Sequence, residues 1–213
     1  MQELPVIVGV GGVASEVGKT TLICDLLQGL PGWEAIKTTR GHYRSCGKDP
    51  HACCVSDLIG EAAVIRSGRE LTYEAGKDTG RYWDAGATNV HWLIATDEQV
   101  REGIIEALKR VRSPGVLIEG NSFASYVKPD LMIMVVGGKS VVIKRTARTA
   151  LPLCSALYSP SALEDYDFLS RMRAATSASN SLPFLTKPDL PYLLHRIQAL
   201  LADRCYNIEP ADC

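Results

Sequence analysis

The sequence predicts an α/β domain of three layers, a mostly parallel sheet covered on both faces by helices. Three observations point there. Apolar, β-branched runs alternate with amphipathic helical stretches along the chain. Several of those runs, such as PVIVGVG and DLMIMVV, are continuously apolar rather than alternating, as strands buried on both faces are. A glycine-rich turn joins the first run to the first helix, and in such sheets ligands bind beyond the carboxyl ends of the strands.

Taken in order, Pro5–Gly11 reads as the first strand, and Lys19–Leu30 as an amphipathic helix stopped by "LPG". Trp33–Thr38 is the second strand. Residues 41–57 are polar and irregular, and Asp57–Ser67 is expected to be a helix. Asn89–Ala95 is a third strand. "TDEQ" at Thr96–Gln99 is a capping-box pattern opening a helix to about Arg112. Gly115–Ile118 and Asp130–Val136 are the next strands, followed by a short one over Ser140–Lys144. Pro183–Leu185 is a weak final strand and Tyr192–Ala202 a final helix. The expected organisation is one nucleotide-binding domain over 1–213 with a cysteine- and histidine-bearing insertion at about 41–57.

The chain has 213 residues, 46% of them hydrophobic, enough for a sizeable core. Its net charge of −1 gives no reason to expect nucleic acid or an anionic membrane as partner. No apolar run approaches the roughly 18 residues of a membrane span. "MQELPVIVGV" has no basic n-region and reads as a strand, so no secretory signal is expected. The 7 cysteines therefore suggest reduced thiols in a cytoplasmic protein. Cys24 and Cys154 lie in apolar stretches and read as core; Cys205 and Cys213 fall in the tail.

The turn itself carries chemistry. "GGVASEVGKTT" supplies Gly11, Gly12 and Gly18, then Lys19, Thr20 and Thr21. Glycines let backbone N–H groups turn inward, the helix N-terminus favours an anion, a lysine reaches outer phosphates and a hydroxyl holds Mg2+. The candidate nucleotide contacts are Gly12, Glu16, Val17, Gly18, Lys19, Thr20 and Thr21. The spacing departs from G-x-x-x-x-G-K-[ST] by one residue, since Gly12 stands one position too early. Downstream, "GVLIEGNS" ends a strand on Glu119, a carboxylate that can hold magnesium directly or through water. "GKDT" at Gly76–Thr79 precedes a short helix. From chemistry alone, Asp78 there is a candidate helix cap.

The longer loop resembles that of dethiobiotin synthetase and its relatives, a class of P-loop proteins that includes metallochaperone GTPases and partitioning ATPases. The partitioning members have an early loop lysine; Gly11, Gly12 and Val13 stand here instead. Ile36-Lys37, Gly76-Lys77-Asp78-Thr79, Ala85-Gly86-Ala87, Glu119-Gly120 and "VKPDLMIMV" at Val127–Val135 occur in the order and spacing of the molybdopterin-guanine dinucleotide biosynthesis protein B family. The resemblance covers roughly residues 5–136. It implies a GTP-binding protein that assists guanylation of the molybdenum cofactor beside a separate nucleotidyltransferase or other molybdoenzyme maturation partner. It implies Lys19 and Thr20 on phosphate and magnesium, Asp78 and Glu119 near the metal or an attacking water, and Lys37 on a phosphate or anionic substrate. Hydrolysis is expected to be slow, since transfer to water needs a positioned base or a partner's arginine. Homodimers are common in the class.

Two stretches leave the reading open. "RGHYRSCGKDPHACCVSDL" brings His42, Cys46, His51, Cys53 and Cys54 together, ligand types for zinc or an iron–sulfur cluster, without a C-x-x-C pair. Arg40 and Lys48 in the same region suit an anionic pterin phosphate. Thr186-Lys187-Pro188-Asp189 fits the [NT]-K-x-D string that reads guanine, and equally fits a helix cap, so GTP and ATP both stand. An ATP-dependent small-molecule ligase or kinase resembling dethiobiotin synthetase is one rival function. A metallochaperone-type switch using the cysteine loop is the other.

Overall fold

The computed structural model describes residues 4–41, 58, 60–137, 143–160 and 182–206. Its elements run β1 (Val6–Gly12), α1 (Lys19–Gly29), β2 (Glu34–Arg40), β3 (Val64–Ser67), α2 (Arg69–Thr72), α3 (Asp78–Asp84), β4 (Val90–Ala95), α4 (Val100–Arg110), β5 (Gly115–Glu119), β6 (Leu131–Val135), α5 (Arg145–Ala150), β7 (Ala156–Ser159), β8 (Phe184–Thr186) and α6 (Leu190–Tyr206). The strands form one sheet in the order β3-β4-β2-β5-β1-β6-β7-β8. Every described pairing is parallel except β3 with β4.

β1 lies between β5 and β6, and all three are buried along their whole length, as their continuous apolar runs require. α1 packs against α3 and α6 on one face; α4 and α5 lie on the other, sharing the short 3-10 turn Ser122–Ser125. The core gathers Leu22, Ile23, Leu26 and Leu27 of α1 under β1 and β5, with Trp33 buried before β2. Burial pushes the Cys24 thiol up to about 11 and the Cys154 thiol to about 12. Both are packing groups rather than reactive ones.

The expected helix over Asp57–Ser67 is corrected at its end. Val64–Ser67 is an edge strand, antiparallel to β4 with Ile65 opposite Leu93. Two β-branched residues just before Gly68, and an unpaired edge on β4, outweigh local helix propensity. α5 and β7 fall where no element was expected. "TDEQ" keeps half of its box: the Gln99 side chain accepts from the Thr96 amide at 3.1 Å, and α4 begins one residue later. The strand expected over Ser140–Lys144 lies mostly outside the described residues, and Ile143 and Lys144 are not in a strand.

The amino ends of the strands are tied by a buried polar cluster. Glu34 Oε2 meets His91 Nε2 at 2.7 Å, while Oε1 accepts the Arg112 and Ser113 amides at 2.8 and 2.9 Å. Ser67 closes the other side of the His91 ring at 2.8 Å. Burial opposes ionisation of Glu34, yet these donors hold its carboxyl below the usual range. Glu34→Ala removes a partner of the buried His91 ring and of the part-buried Arg112 and Ser113 amides at once. It should cost about 3 kcal/mol in urea unfolding, and a loss below about 1 kcal/mol would show the cluster to be inessential.

Candidate functional site

The site grows from the carboxyl edge of the central strands. β1 ends on Gly12, the chain loops through Val13–Val17, and α1 starts at Lys19. Gly18 has φ 98°, a left-handed conformation that favours glycine, and it sets the turn into the helix. Glu16 also has positive φ, 58°, and is exposed. Val17 is buried, and it and the Lys19 chain lie where a side chain on Gly12 would stand. The loop is gripped from behind. Asn121 Oδ1 accepts the Gly12 amide and its Nδ2 donates to the Gly12 carbonyl, both at 2.9 Å. Lys144 donates to Ser15 at 2.8 Å, and its own amide bonds Val13. Arg81 reaches Thr21 at 3.2 Å.

Beside the loop, two carboxylates converge on one cation. Lys37 Nζ donates to Asp78 Oδ2 at 2.6 Å and to Glu119 Oε1 at 2.5 Å. The other Glu119 oxygen accepts from Thr20 at 3.0 Å and from the Tyr82 hydroxyl. Glu119 is almost wholly buried, and Asp78 is half-exposed at the mouth. Gly120, with φ 144°, leaves room for Thr38 to donate to the Glu119 carbonyl at 2.6 Å.

Electrostatics follow from this crowding. For Lys37, burial disfavours the charge, but Glu119 and the hydrogen bonds to Asp78 and Glu119 win, and its pKa is raised. For Asp78, burial pulls upward, while Lys37, Thr20 and Arg81 hold the carboxyl below its usual range. Burial first, then the Glu119 charge, raises Tyr82 well above its ordinary value, so it stays a donor. Lys19 is lowered by burial and by neighbouring Lys37 and Lys144, against the pull of Glu119.

A hollow of about 560 Å3 opens over these groups, lined by Lys19, Lys37, Arg40, Lys144 and Arg145, with Glu119 as its acid. Asp97, outside it, pairs with Arg40 and, at 3.6 Å, with Arg145. Such a hollow suits a polyanion. The Thr20 hydroxyl and the Asp78 and Glu119 carboxylates form an all-oxygen donor set with more negative charge than Lys37 offsets. This fits Mg2+, which takes one or two carboxylates and fills its remaining positions with water and phosphate oxygens.

The structure thus brings Gly12, Gly18, Lys19, Thr20, Lys37, Asp78 and Glu119 together. Asp78 is the first residue of α3 and its side chain turns to Lys37, with no cap hydrogen bond. Asp189 lies in the turn that follows β8. Its Oδ2 accepts the Thr186 amide and hydroxyl at 2.8 and 2.9 Å, closing a capping box over the 3-10 turn Lys187–Asp189. His42, Cys46, His51, Cys53, Cys54 and Lys48 lie outside the described residues. Among the described residues, no group of three or more His, Cys, Asp or Glu could hold a metal ion, and no helix is long and apolar enough to cross a membrane.

Sequence reasoning missed Tyr82, Asn121, Lys144 and Arg145. Tyr82 was findable, standing four residues after Asp78 on the same helical face. Asn121 follows Glu119 by two but only the fold shows it reaching Gly12.

Asp78 carries a pH signature. Its folded pKa is depressed, so its stabilisation is present above the ordinary aspartate value near 3.9 and is lost as pH falls through the lower folded value. Asp78→Asn should flatten the acid limb of stability below about pH 4 in urea unfolding; an unchanged limb would remove the Lys37 pairing as its source.

No protein-family model matches the chain, and no curated protein matches it. Among solved structures, the crystal structure of HypB from Helicobacter pylori in complex with nickel matches with TM-score 0.51 and 12% identity, over 99% of this chain and 92% of that one. The Signal Recognition Particle 54 kDa protein from Aeropyrum pernix K1 in complex with GDP gives TM-score 0.44 and 16% identity, over 93% of this chain and 50% of that one. Sheet order, glycine loop and the HypB likeness together give the three-layer α/β P-loop fold.

Proposed function

We propose that the chain binds a nucleoside triphosphate with Mg2+, GTP in preference, and hydrolyses it slowly in the service of molybdenum-cofactor maturation. The observation that carries the nucleotide part is the meeting of Lys19, Thr20, Asp78 and Glu119 in a cation-rimmed hollow at the start of α1. In this reading the loop amides and Lys19 take the outer phosphates. Thr20, Asp78 and Glu119 hold the metal, which neutralises charge on the phosphate oxygens. Glu119 is itself fixed by Tyr82 and Lys37. Slow turnover has a physical ground: the depressed pKa of Asp78 makes it a weak base for a water proton. The guanine preference rests on Asp189, where Oδ2 is spent on the cap and Oδ1 would meet the base. The molybdenum role, with a nucleotidyltransferase or another maturation partner, rests on the sequence resemblance.

Calorimetry with non-hydrolysable GTP and ATP analogues in Mg2+ tests this. The expectation is roughly tenfold tighter binding of the GTP analogue. Tighter ATP binding overturns the base assignment, and no binding of either overturns the nucleotide reading. The His42–Cys54 cluster supports a second reading, a metallochaperone-type switch. Metal analysis of untagged protein decides it: stoichiometric zinc, nickel or iron favours the switch, and none sinks it.

A further inference from the structure

A second hollow, of about 610 Å3, lies on the other side of Lys37 from the glycine loop. One cross-strand row builds its floor. Arg66 of β3 pairs with Trp92 of β4, Trp92 with Lys37 of β2, and Lys37 with Glu119 of β5. Residues in register across a sheet share a face, so the row runs without a break from the phosphate side to Arg66. Trp92 Nε1 donates to Thr39 at 2.8 Å, which fixes the indole plane. The Arg66 guanidinium stands over one face of the ring, 5.8 Å from its centroid, which puts the cation beside the indole. The roof is α2 and the turn into α3: Leu71, Thr72, Tyr73, Glu74 and Lys77. Leu71 is 60% exposed and Tyr73 39%, an apolar lip unusual beside so polar a centre.

Charge selects the occupant. Lys37 and Asp78 are engaged with each other. That leaves Arg66 and Lys77 against the single acid Glu74, and among the described residues neither cation has a carboxylate partner. A fixed indole face, an apolar lip and surplus positive charge are complementary to a flat organic anion, and the volume suits a molecule of that size.

We propose that this hollow is a second small-molecule site, taking a small organic anion with a flat apolar body that lies on Trp92 and an acidic group held by Arg66 and Lys77. The site stands on its own lining. Only its role as the nucleotide's companion ligand, meeting it across Lys37 and Asp78, rests on the function proposed above.

The test is calorimetry on the full chain with 1-naphthyl phosphate as probe. The expectation is one site per chain. Neutral 1-naphthol and inorganic phosphate should each bind at least roughly tenfold more weakly, since each supplies half of the complementarity. Arg66→Glu should weaken the probe by roughly tenfold or more. Lys77→Glu, on an exposed turn, serves equally where the strand variant fails to fold. A saturating non-hydrolysable GTP analogue with Mg2+ should leave probe affinity within about threefold, because the hollows share Lys37 and Thr39 while Arg66, Lys77 and Trp92 line this one alone. Absence of binding, equal affinity in a folded charge-reversed variant, or displacement by the nucleotide overturns the proposal. The same samples separate the two ideas. Protein that binds nucleotide but not probe loses this site and keeps the proposed function; protein that binds probe but not nucleotide does the reverse.

Discussion

Lys19→Ala should abolish nucleotide binding while leaving the fold intact. The lysine projects from the first turn of α1 into the cation-lined hollow, where its ammonium is half-buried and pressed by Lys37 and Lys144. Burial and those two charges lower its pKa, so the free protein holds this charge at some cost. A bound polyphosphate would remove that cost and add charge-assisted hydrogen bonds, each roughly twice as strong as a neutral one. Losing both should weaken binding by at least about a hundredfold, close to 3 kcal/mol. Stability should change little, since deleting one of several crowded cations relieves repulsion as it removes packing over Gly12. Calorimetry with a GTP analogue and far-UV circular dichroism on the same sample check both halves. Unchanged affinity in a folded variant refutes the assignment of this loop.

Much of the fold was legible because its signals are local. A continuous apolar strand, a glycine turn and a helix opening on Lys19-Thr20 declare themselves within about twenty residues. Glu119 was legible for the same reason, as an acid at a strand tip. What could not be read depends on distant partners. Val64–Ser67 becomes a strand only because β4 offers it an edge. Asp78 could cap a helix or face a metal; its neighbours in sequence do not show that its side chain pairs with Lys37, 41 positions away. Asn121 and Lys144 grip the glycine loop from 109 and 129 positions away. The glycine loop is thus rigidified by groups that its own sequence does not name.

Lys37→Met is the second large effect, and its sign with pH is the diagnostic part. In the native protein the ammonium touches Asp78 and Glu119, and Glu119 is almost wholly buried. Removing one partner of a buried ion pair leaves an uncompensated charge, which costs more than the pair contributes. Thr20 and Tyr82 still donate to Glu119, so the loss should be about 3 kcal/mol rather than the upper end of that range. Two consequences separate this from a mere packing defect. Glu119→Gln in the same molecule should recover part of the loss, giving a coupling of about 1 kcal/mol or more in a double-mutant cycle. The acid limb should also invert. In the native protein the depressed pKa of Asp78 makes stability fall as pH drops through that value. Without Lys37, two facing carboxylates raise the folded pKa above the unfolded one. Protonation then stabilises the variant, so its stability should rise as pH falls from about 6 toward 4. Urea unfolding at pH 4, 5, 6 and 7 reads this directly. An additive cycle with parallel pH profiles would mean that Lys37 does not hold the two acids together, and the metal assignment built on their convergence would fall with it.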